Sequence, residues 1–148
     1  MVTGALVGYA SSRLMDQATG WYYRRQSTAS KDTEERIAPG GTLVQLGHQL
    51  AGLAGRQLDE EGAGRVGLAV HRSLGVTYGV IAASLTRRGV PAWAAGPLVG
   101  AGAWLAVDEG LSLSTVRDYM PESHVRGIIG HGTWGVSAGV LLSLVEGH

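Results

Sequence analysis

The chain has 148 residues, room for one core or one bundle, and contains 24 glycines but no cysteine and no phenylalanine. Charged residues make up 16%, below the ~25% usual for soluble domains, and 12 basic side chains balance 12 acidic ones. Zero net charge gives no electrostatic grip on nucleic acid, and without cysteine there are no disulfides, thiolate metal sites or cysteine nucleophiles.

A mean hydropathy of only +0.09 hides segregation, because most charge falls in 13–36, 56–65, 87–88, 108–109 and 117–126. The first apolar stretch, 2–23, carries Gly4, Gly8 and Ser12 at i+4 spacing. It closes on Trp21, Tyr22 and Tyr23 followed by Arg24 and Arg25, the pattern of an aromatic belt with a positive flank. It lacks a basic n-region, so it is expected to act as its own insertion signal. Residues 26–41 are polar, end in Pro-Gly-Gly and read as a loop. In 42–58, Leu43, Leu46, Leu50 and Leu53 recur at helical spacing while Gln45, His48, Gln49 and Arg56 take other faces. This predicts an amphipathic helix lying in the membrane interface.

An acidic turn over 57–64 leads to a second apolar stretch, 66–86, ended by Arg87 and Arg88. A short turn at Gly89 then sends the third, 90–107, back antiparallel. The third holds Gly96, Gly100 and Trp104 in i+4 register, and Asp108 continues that row. Residues 110–123 read as a polar loop, and the fourth stretch runs over about 124–145. Spans of ~18–22 residues match a ~30 Å hydrocarbon core. The expected fold is therefore all-α: an integral membrane bundle of four transmembrane helices plus one interfacial helix, a single domain over 1–148.

Two of these stretches open alike. HRSLGVTYG starts at His71 with Gly75 and Gly79 following, and HGTWGVSAG starts at His131 with Gly135 and Gly139. Residues four apart share a helix face. Such glycine rows weaken a helix in water by about 1 kcal/mol per residue, but in lipid they let backbones touch. Gly4, Gly8, Gly75, Gly79, Gly96, Gly100, Gly135 and Gly139 are thus the expected packing surfaces, with a glycine-rich soluble bundle as the alternative. Tyr78, Trp93, Trp104 and Trp134 read as packing or belt residues, and His48 as a surface residue.

Four alternating spans would carry Asp16, His71, Asp108, Glu109 and His131 toward one membrane face, a polar layer fed by four separate segments. Arg24, Arg25, Lys31, Arg36, Arg56, Arg65, Arg117 and Arg126 lie on that side, against Arg87 and Arg88 on the other. The positive-inside rule then predicts a cytoplasmic polar layer with both termini outside. Arg126 is a candidate partner for Asp108, Glu109 or a lipid phosphate. Arg13 is a candidate partner for Asp16, the alternatives being that it snorkels and that Asp16 caps the helix end.

The pieces LMDQATGWYY, GLAVHRSLGVTYGV, GAWLAVDEGLSL and PESHVRGIIGHGTWGV together resemble the YagU-type bacterial inner-membrane proteins, whose mechanism is uncharacterised. The matching elements are Met15-Asp16; His71, Gly75 and Gly79; Trp104 to Glu109; and His124, Arg126, Gly127, His131 and Gly135. The resemblance covers most of the chain outside 26–65. It implies a multi-pass protein of the bacterial inner (plasma) membrane, loosely linked to acid tolerance, with no known reaction.

Intramembrane ionisable groups are costly unless paired, so the layer reads first as a structural network in a non-enzymatic protein. A proton-responsive reading follows because histidine changes charge near pH ~6.5. No cofactor is expected outright. Two alternatives stay open: a haem b held axially by His71 and His131, and a divalent metal held by His71, His131 and Asp108, with Glu109 or His124. Nucleophile elbows and phosphate loops are absent from the sequence. The expected partners are the lipid bilayer and either a second copy of the chain or a larger membrane complex, which the glycine faces could dock as an accessory subunit.

Overall fold

Small side chains decide where the helices of this protein meet. The computed structural model describes residues 1–111 and 118–146, with the side chains of 109–111 and 146 excepted. All regular structure among them is helical: α1 (Val2–Tyr23), α2 (Thr28–Ile37), α3 (Thr42–Leu53), α4 (Glu60–Thr86), α5 (Ala92–Ala103), a π-helical segment (Trp104–Leu111) and α6 (Pro121–Glu146).

Helices α1, α4, α5 and α6 form a ring in which α1 packs on α4 and α6, and α5 packs on α6 and α4. The α1–α4 seam is antiparallel. A Cβ added at Gly4 would lie 2.7 Å from Gly79 O, and one at Gly8 would collide with Gly75 O. The α5–α6 seam repeats this, since a Cβ at Gly96 would strike Gly135 O and one at Gly100 would lie 2.6 Å from His131 O. The predicted glycine rows are the surfaces on which backbones touch backbones. Where Gly8 and Trp134 meet, the Trp134 indole N–H donates to Gly8 O at 3.3 Å, and Tyr78 sits edge-on to its ring at 6.0 Å. Trp134, Val7, Ala82, Ala83, Ala138 and Leu142 form the buried cluster at the centre.

The two seams share a plan. Gly4-Gly8-Ser12-Asp16 on α1 corresponds in spacing to Gly96-Gly100-Trp104-Asp108 on α5 and the π segment. His71-Gly75-Gly79 on α4 corresponds to His131-Gly135-Gly139 on α6. Both α1 and α5 run antiparallel to α6, so they are parallel to each other. The ring is two similarly directed hairpins, with α2 and α3 inserted into the first.

Several boundaries differ from the sequence reading. The loop expected over 26–41 contains α2, capped by Ser27, whose Oγ accepts from the Ser30 N–H at 3.2 Å; it is held by polar contacts rather than by an apolar face. The helix expected over 42–58 ends at Leu53, and its leucine row is not the buried one: Gly47 and Ala51 face α4 while Leu53 is 86% exposed. Glycines again explain this, because a Cβ at Gly47 would strike Ala63 O and one at Gly67 would strike Leu43 O. The acidic turn before 66 is the first turn of α4. The Asp59 carboxylate accepts from the Gly62 N–H at 2.8 Å, and Glu60 and Glu61 sit at the positive end of the helix dipole.

The third stretch is split. Pro97 lies inside α5, and the backbone changes to π-helix at Trp104 and stays so to Leu111. Of the loop expected over 110–123, residues 121–123 already belong to α6, with Pro121 in the first helical turn where its missing N–H costs nothing; 112–117, Arg117 included, lie outside the described residues. Two helices, α4 and α6, are long and apolar enough to cross a membrane. α1 has the length, 22 residues, but Ser11, Ser12, Arg13, Asp16 and Gln17 dilute its apolarity.

Candidate functional site

The polar end of the ring is built from the row positions that follow the glycines. On α1, Asp16 continues the Gly4-Gly8-Ser12 row and so points along the α4 seam. There the His71 Nε2 lies 3.1 Å from its Oδ1, and Arg72 binds Oδ2. On the second seam Asp108 continues Gly96-Gly100-Trp104, and His131 Nε2 lies 3.3 Å from its Oδ2. Each histidine thus contacts the carboxylate of its own hairpin. The contacts are half-sheltered: the imidazoles are 25% and 11% exposed, and the carboxylates 36% and 38%.

The pairs stand at similar depth. Gly130 packs on α1 between Met15 and Thr19, since a Cβ there would lie 3.1 Å from Met15 Cε and 2.7 Å from Thr19 Cγ2. Asp16 and His131, each one residue from these contacts, therefore share a level. Around Asp108 the fold is tight. A Cβ on Gly127 would come within 2.8 Å of Asp108 Oδ2 and 3.2 Å of Trp104 Nε1. The Trp104 indole N–H is buried with no hydrogen-bond partner among the described residues, as is Arg72 Nη1.

Beyond this level a second polar cluster ties α2 to α6. Arg126 Nη1 reaches Glu34 Oε2 at 2.8 Å and Gln26 Oε1 at 2.7 Å. Gln26 Nε2 donates to Ser30 Oγ at 2.9 Å and to Glu34 Oε1 at 2.8 Å, and the Ser123 hydroxyl donates to the same carboxylate oxygen at 2.5 Å. The Ser27 N–H donates to Glu122 Oε2 at 2.7 Å, joining the start of α2 to the start of α6. The Arg126 guanidinium also lies 5.1 Å from the Tyr23 ring centroid. Burial pushes the Tyr119 phenol above its ordinary ionisation range; the Glu34 charge adds to this and Arg126 opposes it.

Some expected partnerships are rearranged. Among the described side chains Arg126 contacts Glu34 and Gln26, and its ion-pair partner there is Glu34 and not Asp108. Asp16 turns to α4 instead of pairing with Arg13, and it lies mid-helix rather than capping an end. His71 meets Asp16, not Asp108. Glu109's side chain and His148 lie outside the described residues, His48 is a half-buried residue of α3, and His124 sits in the first turns of α6. Arg72, Glu34 and Gln26 were not singled out beforehand. Arg72 had a usable signal, as an arginine inside an apolar helix needs a partner; Glu34 had none, because 26–41 reads as a loop.

Chemically, the level offers two carboxylate–imidazole contacts and one guanidinium. For a haem, the Nε2 atoms that would ligate iron are each turned onto a carboxylate. For a metal, His71 and His131 belong to different pairs, and no group of three or more potential ligands occurs among the described residues. Comparison with protein-family models, curated proteins and solved structures finds no match to this chain.

Proposed function

We propose that this chain is a non-enzymatic multi-pass membrane protein, of YagU type by its motifs, in which carboxylate–imidazole contact between helices makes the bundle respond to protons. The carrying observation is that each glycine-packed seam ends in an aspartate–histidine contact between its two helices, 3.1 Å apart in one and 3.3 Å in the other. An imidazole gains a positive charge on the acid side of its titration, between about pH 8 and pH 5. A carboxylate–imidazole contact then becomes an ion pair that clasps its seam, and when the imidazole is neutral only an N–H hydrogen bond to the carboxylate remains.

Lipid as the solvent is supported by where the large side chains are. The apolar stretches of α4 and α6 are only 28% and 33% buried inside the bundle, unlike the core helices of a water-soluble protein. Leu6, Leu74, Ile81, Leu98, Leu105, Val136, Val140 and Leu144 point outward. In this reading α1 and the α5–π rod complete four spans, α3 lies along the interface with Leu50 and Leu53 toward lipid, and the arginine-rich end is cytoplasmic. Parallel repeats about an axis along the membrane normal are a known architecture for small multi-pass proteins.

The test is thermal unfolding of the full chain in detergent micelles at pH 5 and pH 8, for the natural protein and for the double variant His71→Gln, His131→Gln. The natural protein is expected to unfold at a higher temperature at pH 5, and the double variant to lose most of that difference. A double variant with the natural pH profile would refute the reading.

A further inference from the structure

The two hairpins share their rows of glycine, aspartate and histidine, with Ser12 against Trp104, and they differ again at the residue after each histidine. Arg72 follows His71, and Gly132 follows His131. Arg72 binds the same carboxylate as His71, through the oxygen that His71 leaves free, and its guanidinium also lies 5.7 Å from the Tyr9 ring centroid. Asp16 is thus neutralised by a group that stays protonated at every physiological pH. At the second seam the corresponding residue has no side chain. Among the described residues the ion-pair partner of Asp108 is His131, while Arg126, the nearest arginine along α6, is committed to Glu34 and Gln26.

We infer that the two pairs divide their roles: Arg72 makes the Asp16–His71 contact a pH-insensitive staple, and Gly132 leaves Asp108–His131 as the proton-responsive pair. This rests on the proton-responsive reading above and assigns it to one seam. Charge balance is the physical reason. At the first seam a carboxylate and a guanidinium already sum to zero, so a proton on His71 adds net positive charge to a sheltered site. At the second seam the Asp108 carboxylate has no guanidinium on it among the described residues, so a proton on His131 is the charge that balances its pair.

The charged and titratable groups on the elements around His131 are these. On α1 they are Asp16, already neutralised, and Arg13 one turn away; on α4 they are His71, Arg72 and Tyr78, the last within electrostatic reach of Asp108. On α6 itself they are His124 and Arg126, and on the π segment Glu109 adjoins Asp108 in sequence. The π-helical backbone at Trp104–Leu111 carries the responsive aspartate, and such turns often accompany functional sites.

The structure also provides a gain-of-charge test. A Cβ at Gly132 would meet nothing within 4 Å, so Gly132→Arg meets no steric bar at the position that Arg72 holds in the other hairpin, and its long stem lets the guanidinium reach toward the polar end of the bundle. The experiment compares the pH 5 to pH 8 shift in unfolding midpoint, in micelles, for His71→Gln, His131→Gln, Gly132→Arg and Arg72→Gln. His131→Gln and Gly132→Arg are each expected to lose more than half of the natural shift, while His71→Gln keeps it. Arg72→Gln, where it folds, is expected to enlarge the shift by adding a second responsive pair. Equal losses in His71→Gln and His131→Gln, or a full natural shift in Gly132→Arg, would overturn the assignment while leaving the proton-responsive reading intact. A natural shift retained by the double histidine variant would instead remove that reading itself.

Discussion

Replacing Gly79 by alanine tests the seams on which everything else is mounted. The new Cβ would stand 2.5 Å from Gly8 Cα and 2.6 Å from Gly8 N, and it would collide with Gly4 O. All three are backbone atoms of α1, so no rotamer change relieves them. Carbon atoms approach comfortably at ~3.5–4.0 Å, so α1 and α4 must part by about 1 Å, and a gap of that size forfeits a quarter to a half of each dispersion contact. For a seam with on the order of 40 close atom pairs at ~0.1–0.2 kcal/mol each, the loss is roughly 1–4 kcal/mol, in line with overpacked cores. Alanine returns up to ~1 kcal/mol of helix propensity. The net loss is roughly 0–3 kcal/mol, so Gly79→Ala should stand about 1–4 kcal/mol below an alanine placed in open space. Gly102 and Gly132 lie on the same kinds of helix with nothing within 4 Å of an added Cβ; their alanine variants should be neutral or up to ~1 kcal/mol more stable. Reversible unfolding in mixed micelles, followed by far-ultraviolet circular dichroism, separates the two classes. If Gly79→Ala unfolds together with Gly132→Ala, backbone contact at the seam does not hold the bundle and the packing argument fails.

Two further outcomes follow from single side chains. Val136, 60% exposed near the middle of α6, should accept lysine within about 0.5 kcal/mol if water covers it, but should cost ~2.5–3.5 kcal/mol or block insertion if lipid does; membrane-fraction yield of Val136→Lys reads this directly, and an unchanged yield counts against lipid. Glu34→Gln removes one of the causes that hold the Tyr119 phenol protonated, so absorbance titration at alkaline pH should show Tyr119 ionising earlier than in the natural protein. The stability that Tyr119 contributes is present below its ordinary ionisation range and lost as pH rises through its raised one, so the variant should also lose that contribution at a lower pH; an unmoved titration would mean Glu34 does not act on Tyr119.

The i+4 rows of glycine are readable because helical period alone puts such residues on one face, whatever the partner, and the structure uses those rows as seams. The pairing across the seams is harder to read. Asp16 sits four residues beyond Ser12, so its row was visible, but which imidazole it meets depends on the antiparallel register of α1 on α4. Helix α2 is hidden for another reason: its only buried residue is Ser30, so there is no apolar period to detect, and the Gln26, Glu34 and Arg126 contacts that hold it are made with a helix about a hundred positions away. Helix α3 shows the opposite failure. Its leucines carry the stronger periodic signal, yet Gly47 and Ala51 are buried because a small residue lets α4 come closer than a leucine can. The change to π-helix at Trp104 leaves no mark in residue type at all.

The choice of solvent and the choice of core are one question in this molecule. The residues with no exposed surface include Ala63, Ala82, Ala95 and Ala138 with Ser11 and Ser30, whereas Leu6, Leu98 and Leu144 are 66%, 62% and 73% exposed. In water, burying methyl groups while leaving leucines outside forgoes most of the stabilisation that apolar area provides, about 25 cal/mol per Å², and each interior glycine costs about 1 kcal/mol more. In lipid the outward leucines cost nothing, and close backbone approach gains dispersion and weak Cα–H···O contacts instead. A carboxylate on such a seam is then tolerable only beside a cation or a group able to become one. The aspartates here meet that condition differently, one beside an imidazole and a permanent guanidinium and the other, among the described residues, beside an imidazole, so an asymmetry of a single side chain would convert one packing motif into both a fastening and a sensor.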